Sequence, residues 1–179
     1  GSYPVLVTDA NACNQPIYPL TVLEPNPIKI IFYDQDDVTT CYDSPEGRIA
    51  IQGNGGTGNM TYSLNGGATQ ATGEFLNILG GTHTVSLYDD NLCRRDTIVS
   101  LSRPAELLFN QVDVTHVTGC SGGSNGEIDV LATGGGGAPY EYAIDNGTFS
   151  ATSTFQNLSA GDYTISVRDH NTCVVDSIV

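Results

Sequence analysis

The five cysteines are the most reactive side chains of this sequence, and they fall into two groups. Three end an Asp-x-Asn-x-Cys run and two precede a glycine-containing stretch: Cys13, Cys93 and Cys173, then Cys41 and Cys120. None lies in a Cys-x-x-Cys pair, which disfavours zinc binding and thioredoxin-like exchange. The spacing therefore predicts disulfides, which persist in an oxidising, extracellular compartment.

Two pairings of these cysteines fit a repeated sequence. The one we favour joins Cys41 to Cys93 and Cys120 to Cys173, and it leaves Cys13 for a partner that precedes residue 1. Each bond closes a loop of ~50 residues, worth about 4 kcal/mol by chain entropy. The alternative joins Cys13 to Cys41 and Cys93 to Cys120, and it leaves Cys173 without a partner.

The position of the strands bears on this choice. A sandwich places the turn that ends at Cys93 and the strand that follows Cys41 at opposite ends, which counts against a bond within one unit. Residues 36–46 are nevertheless long enough to run back along the sandwich. Both pairings stay open, and we favour the bonds within units.

Carboxylates are the second candidates for chemistry, because calcium takes several oxygen ligands. Asp34 and Asp36 lie in one loop, whereas Asp89 and Asp169 recur at one phase, each two residues before an Asn. These four are the calcium candidates, but they supply fewer ligands than such sites use. The competing interpretation of Asp89 and Asp169 is an Asx turn, in which the side chain caps its own backbone.

Two features of the sequence suggest an enzyme, but the residues around them do not fit an enzymatic site. Residues 53–58 match G-x-G-x-x-G, but a strand-like run follows, whereas a dinucleotide site needs a helix there. His83, His116 and His170 lie at unrelated phases, without metal-ligand spacing or a neighbouring nucleophile motif. We therefore expect no catalytic residue, no cofactor and no enzyme.

The elements that position these residues recur at an interval of about 80 residues. Residues 1–13 return as residues 81–93 and again as residues 161–173, with Gly, Asp, Asn and Cys in register. Such an interval is typical of a tandem array, which builds length and surface.

Two prolines mark the junctions between the units. Pro25 and Pro104 each follow a strand-like run and precede an apolar stretch. We therefore predict the C-terminal part of a preceding repeat in residues 1–25, a complete repeat in residues 26–104, and a second repeat, truncated at its C-terminus, in residues 105–179.

Apolar and polar residues alternate in every patterned segment, as in β-strands with one buried face. Turn sequences such as residues 65–67 and 145–147 separate these segments. About seven short strands per unit predict an all-β fold of tandem immunoglobulin-like antiparallel β-sandwiches that form a rod. The run LSAGDY before the last strand predicts a tyrosine corner at Tyr163, whereas His83 takes that place in the middle unit, where we expect no corner.

Charge limits the partners. The chain has 20 acidic and 6 basic residues, a net charge of -14, which argues against binding to nucleic acid or anionic membranes. No apolar run approaches the ~20 residues of a membrane span, so no membrane insertion is expected.

The order of these motifs resembles the SprB repeat. The matching residues are Cys120, Gly126, Gly134, Gly135, Tyr140, Tyr142, Phe155, Asn157, Leu158, Gly161, Tyr163, Asp169, Asn171 and Cys173. Such repeats occur in very large adhesins of gliding Bacteroidetes, which are exported by the type IX system. The resemblance implies an extracellular stalk at the outer cell surface, in contact with neighbouring repeats of the same chain. Gliding machinery and surface polysaccharide would be contacted through regions outside residues 1–179.

Two further expectations concern sugars. Thr97 and Ser177 each follow an Asp and precede an Ile, which looks like the O-glycosylation pattern of Bacteroidetes.

The alternative function is a carbohydrate-binding module array, in which exposed tyrosines stack on sugars. Its candidates are Tyr33, Tyr42, Tyr88 and Tyr140, which do not recur at one phase. A spacer attached to a secreted hydrolase is the other alternative.

Overall fold

A computed structural model describes the backbone of residues 1–179 and the side chains of all but residues 16–18. Within this description the chain forms strands and turns, and it offers no helix with the length and apolar character needed to cross a membrane. The strands are β1 (Ser2–Thr8), β2 (Asn14–Thr21), β3 (Lys29–Asp36), β4 (Gly47–Asn54), β5 (Thr61–Leu64), β6 (Glu74–Ile78), β7 (Gly81–Tyr88), β8 (Arg94–Leu101), β9 (Leu108–Thr115), β10 (Gly126–Thr133), β11 (Glu141–Ile144), β12 (Thr154–Leu158), β13 (Thr164–Arg168) and β14 (Val174–Ile178).

Two successive modules have the same topology. In the first, β3, β4 and β6 form one antiparallel sheet and β5, β7 and β8 form another. In the second, β9, β10 and β12 face β11, β13 and β14 in the same way. This order gives the A-B-E and C-F-G sheets of the immunoglobulin arrangement without its D strand. The predicted all-β sandwich is confirmed, with six described strands per module instead of about seven.

Each module encloses a core of its own. In the first module, the alternating residues Ile49 and Ile51 of β4 pack against Val85 and Leu87 of β7, and all four are at most 4% exposed. The same positions of the second module form a separate cluster with Ile128, Val130, Ile165 and Val167. The period-two pattern of the strands therefore produces one apolar layer per sandwich.

The hairpin of β1 and β2 repeats the pairing of β7 and β8, but apolar side chains of this hairpin are exposed where their counterparts in β7 and β8 are buried. Val7 and Leu20 are 50% and 57% exposed, whereas their counterparts Leu87 and Val99 are buried. This exposure is what the final hairpin of a preceding module would show. The assignment of residues 1–25 to such a module stays a prediction.

The corner before β13 confirms one sequence prediction, and the corner before β7 corrects another. The Tyr163 hydroxyl donates to the carbonyl of Ser159 over 2.8 Å, as in a tyrosine corner. His83 Nε2 lies 2.8 Å from the carbonyl of Leu79, at the equivalent position. The corner is therefore kept in the first module, because an imidazole N–H reaches the same carbonyl as a phenol.

The environment of His83 defines its tautomer. The carbonyl of Leu79 only accepts, so Nε2 carries the hydrogen, and Nδ1 accepts from Asn65 Nδ2 over 3.0 Å. Asn65 Oδ1 accepts from the Thr84 N–H over 2.9 Å, which fixes the orientation of the amide. The imidazole thus links the corner to the turn that follows β5.

We predict that His83→Phe lowers the free energy of unfolding of the first module by about 1 kcal/mol, the usual net worth of a hydrogen bond. His83→Tyr should lose less, because its hydroxyl can restore the corner. Urea unfolding of the two variants beside the parent chain measures this difference. Equal losses in both variants would show that the corner hydrogen bond contributes nothing.

Candidate functional site: the joint between the modules

The two modules contact each other end to end. The end of the first module that carries the β3–β4 loop meets the end of the second module that carries the turn between β13 and β14. The β3–β4 loop, residues 37–46, lies beside the end of β8, where the Val38 N–H donates to the carbonyl of Ser102 over 3.0 Å. In the second module, the glycine loop after β10 contacts the turn between β13 and β14, close to the start of β9. Because β8 leads directly into β9, the loop of one module faces the turn of the next. We call this region the joint, and it comprises residues 37–46, 102–107 and 169–173.

A disulfide crosses the joint. It connects Cys41 of the β3–β4 loop with Cys173 of the β13–β14 turn, with a Cα–Cα distance of 5.8 Å and a sequence separation of 132 residues. Cys13, Cys93 and Cys120 are free and exposed.

Both predicted pairings of the cysteines are therefore wrong. Within one module, Cys41 and Cys93 lie at opposite poles, so a bond between them would have to run the length of the sandwich. The loop does not run back, because its own hydrogen bonds hold it at its pole. End-to-end stacking instead brings the loop cysteine of one module to the turn cysteine of the next.

The Asp of the Asp-x-Asn-x-Cys motif fixes the turn that carries the cysteine. Asp169 is 3% exposed; its Oδ1 accepts from the Cys173 N–H over 2.9 Å, and its Oδ2 accepts from the Gly136 N–H over 2.6 Å. Asp89 makes the same Oδ1 contact to the Cys93 N–H over 2.8 Å and accepts from the Thr57 N–H over 2.9 Å. One carboxylate thus closes the turn and holds the glycine loop that packs over it.

This contact explains the glycines of residues 53–58. Gly56 has a φ of +63°, and a Cβ added there would lie 2.8 Å from the side chain of Asp89. The residues that follow form β5 and not a helix, as the sequence analysis predicted. The loop therefore serves the buried carboxylate.

The Asn of the motif reaches across the joint. Asn171 Nδ2 donates to the carbonyls of Thr39 and Thr40 over 3.0 and 2.8 Å. Glu46 Oε1 accepts from the Thr40 N–H over 2.7 Å and so holds the same segment of the loop. Sequence reasoning missed this contact, although the recurrence of Asn two residues before each turn cysteine was the available signal.

The linker is anchored in both modules. The Ser102 N–H donates to Asp37 Oδ1 over 2.9 Å, and the guanidinium of Arg103 lies 3.8 Å from the ring centroid of Tyr42. At the other end, Leu107 is 6% exposed in the second core. A short connection held at both ends limits bending between the modules.

Hydrogen bonds lower the pKa values of three acids, Asp89, Asp37 and Glu46. Burial alone would raise the pKa of Asp89, but the N–H groups of Thr57, Cys93 and Asn91 outweigh it and hold this pKa below its usual value. Hydrogen bonds from Ser102 likewise lower the pKa of Asp37. Those from the Thr40 and Thr39 N–H groups lower the pKa of Glu46.

These shifts predict acid sensitivity. A carboxylate whose pKa is lower in the folded state stabilises the fold fully above its unfolded pKa, about 4, and loses this contribution as the pH falls through the folded value. We expect stability to decline below about pH 4, and less steeply in Asp89→Asn. Denaturant unfolding between neutral pH and about pH 2 measures both slopes. Parallel curves would contradict the assignment to Asp89.

The other calcium candidates make ion pairs. Arg48 contacts Asp34 over 3.0 Å and Asp36 over 3.4 Å, and it contacts Glu74 over 2.9 Å. Among the side chains that the structure describes, no three His, Cys, Asp or Glu are grouped to hold a metal ion. The oxygens of Asp89 and Asp169 accept hydrogen bonds from backbone N–H groups, as in the Asx-turn interpretation.

The four tyrosines predicted to stack on sugars lie in four different surroundings in the structure. Tyr42 stacks under Arg103, the Tyr140 hydroxyl donates to the carbonyl of Gly134 over 2.9 Å, and the Arg94 guanidinium lies 5.8 Å from the Tyr88 ring centroid. Tyr33 is 48% exposed on β3.

The two predicted glycosylation sites are half-buried, Thr97 on β8 and Ser177 on β14. Thr97 shares its strand face with the buried Val99, so a glycan would have to leave from the core side. Modification of either residue stays a prediction, which the intact mass of the native protein checks.

A family model identifies the repeat. Residues 109–149, from β9 to the turn after β11, match the SprB repeat. This stretch of the chain is therefore similar to the SprB repeat. The resemblance inferred from the motifs is thereby confirmed, and the matched stretch comprises the β9–β11 part of the second module, including the loop that holds Cys120. No curated protein sequence matches the chain.

Several solved structures match at low identity. A C-terminal 282-residue fragment of intimin, in complex with the intimin-binding domain of the translocated intimin receptor, is 16% identical, with a TM-score of 0.39; the match covers 84% of this chain and 63% of that one. Extracellular domains 3–5 of Drosophila OTK are 14% identical (TM-score 0.34, 93% and 64% covered). Immunoglobulin domains 1–5 of Sidekick-1 are 13% identical (TM-score 0.37, 100% and 45% covered). The chain spans less than two thirds of each of these structures, and the fold assignment above depends on its own strand order.

Proposed function

We propose that this chain is a structural stalk segment of a very large cell-surface adhesin used in gliding motility and surface attachment. It would lie outside the cell, exported by the type IX system, and it would have no catalytic residue and no cofactor. The observation that carries the proposal is the Cys41–Cys173 disulfide, which joins two modules end to end. Disulfides are typical of oxidising, extracellular compartments. The SprB repeat in residues 109–149 supports the same class of protein.

The mechanism is mechanical. A pull on the two ends of the chain passes through the disulfide, so the residues between Cys41 and Cys173 are shielded from the load. Asn171 and the anchored linker hold the two modules in one orientation. The net charge of -14 keeps neighbouring filaments apart.

An exchange experiment tests the proposal. The repeats of the full-length adhesin are replaced by an unrelated rod of tandem immunoglobulin-like domains of equal length, and gliding and attachment are scored. A stalk predicts that both are retained, whereas deletion of the repeats without replacement impairs them. Loss of attachment in the replaced protein, together with glycan binding by this chain, would instead support the carbohydrate-binding alternative.

A further inference from the structure

We propose that Cys41–Cys173 is one rung of a continuous disulfide ladder. In it, the loop cysteine of every module bonds to the turn cysteine of the next module. Cys93 then bonds to the loop cysteine of the module before it, and Cys120 bonds to the turn cysteine of the module after it. The inference rests on the proposed function only in requiring neighbouring repeats.

The turn cysteines have the same geometry in all three copies. The backbone N–H of each donates to the motif Asp, over 2.9 Å at Cys13, 2.8 Å at Cys93 and 2.9 Å at Cys173. The residue before each has a positive φ, at 61°, 62° and 67°. The turn thus presents Cys93 as it presents Cys173, which is already bonded.

The loop cysteines match as closely. The carbonyl of Cys41 accepts from the Ser44 N–H over 3.1 Å, and the carbonyl of Cys120 accepts from the Gly123 N–H over 3.1 Å. Asn125 accepts from the Thr118 N–H over 3.1 Å, in the place where Glu46 holds the loop of the first module. Cys120 is exposed at the pole that corresponds to the one where Cys41 is bonded.

The Asn of the motif indicates that a preceding module would stack on the first module in the same way as the first stacks on the second. Asn171 donates to the loop carbonyls of the preceding module beside the disulfide. Asn91 occupies the same turn position, and Asp89 Oδ1 accepts from its N–H over 3.0 Å. A preceding module stacked as the first is on the second would place its loop carbonyls against Asn91 and its loop cysteine against Cys93.

The ladder has a mechanical consequence. Because each rung spans more than one module, successive covalent loops overlap, and every strand of an inner module lies inside at least one of them. Load passes from rung to rung through short stretches such as the one from Cys93 to Cys120. Each rung forms when two thiols lose two protons and two electrons to the disulfide of a thiol–disulfide oxidoreductase, which leaves as a dithiol.

The test adds one module at the N-terminus of the complete chain. A second copy of residues 26–80 is placed ahead of Gly1, so that it supplies four strands and residues 1–25 supply the closing hairpin. Asp43→Glu in the added copy gives its Cys41 peptide a mass of its own. The ladder predicts that non-reducing peptide mapping links this tagged peptide to Cys93, while the original Cys41 stays linked to Cys173.

Other outcomes overturn the proposal: the tagged peptide linked to Cys13, or left as a free thiol while Cys41–Cys173 forms. Cys93→Ser in the same extended chain is the matched control, which should free the tagged thiol and leave Cys41–Cys173 intact.

A second variant guards against failure of the first to fold. It appends residues 100–179 after Val179, with Asp176→Glu as the mass tag. Here Cys120 should link to the tagged Cys173 peptide, and a free Cys120 in the folded protein rejects the ladder. The exchange experiment does not depend on these bonds, so the two proposals can fail separately.

Discussion

Reduction of the Cys41–Cys173 disulfide should lengthen the chain under load by about 430–470 Å. The bond bridges a sequence separation of 132 residues, and an extended residue spans about 3.3–3.6 Å. In the oxidised chain, only the residues before Cys41 and after Cys173 can be drawn out, because the load bypasses the strands between the two cysteines. Single-molecule force spectroscopy with handles at the two ends measures the released length before and after a reductant is added.

Two variants sharpen this measurement. Cys173→Ser should show the long extension without reductant, whereas a chain with Ser at Cys13, Cys93 and Cys120 should behave as the parent does. A bond between Cys41 and Cys93 would instead shield only residues of the first module from the load, so reduction would release a shorter length. Equal extensions of the oxidised and reduced parent chain would contradict the observed connectivity.

Loss of the Asp169 carboxylate should destabilise the second module by about 2–4 kcal/mol. Asp169→Ala removes the buried carboxylate that accepts from the Cys173 and Gly136 N–H groups, and each of these two hydrogen bonds contributes about 1–2 kcal/mol. Chemical denaturation of the reduced chain measures the loss without the disulfide.

Asp162→Ala is the matched control for this variant, since Asp162 is exposed in the same module and should leave stability nearly unchanged. Asp169→Asn should lie between the two, because an amide keeps one acceptor oxygen but turns a donor toward the other N–H. If Asp169→Ala unfolds as the control does, the carboxylate does not hold the turn.

Much of the fold could be predicted from local sequence. The alternation of Ile49 and Ile51, or of Val85 and Leu87, specifies strands with one buried face, and the recurring motifs specify copies of one module. The Asx turn at Asp89 and the corner at Tyr163 could also be inferred, since each depends on residues within a few positions of one another. The hydrogen bond of His83 could not be predicted from the corner motif, because the motif names a tyrosine and an imidazole N–H reaches the equivalent carbonyl here.

The sequence by itself determined that this protein is a series of alternating, cysteine-marked β-modules, because strand periodicity and turn chemistry are local properties of the chain. Only the tertiary structure decided which cysteines meet. Cys41 and Cys173 are brought together because strand order assigns them to opposite poles of their own modules, and because the anchored linker stacks those poles on one another. A bond across 132 residues depends on this three-dimensional arrangement, which spacing along the chain does not encode.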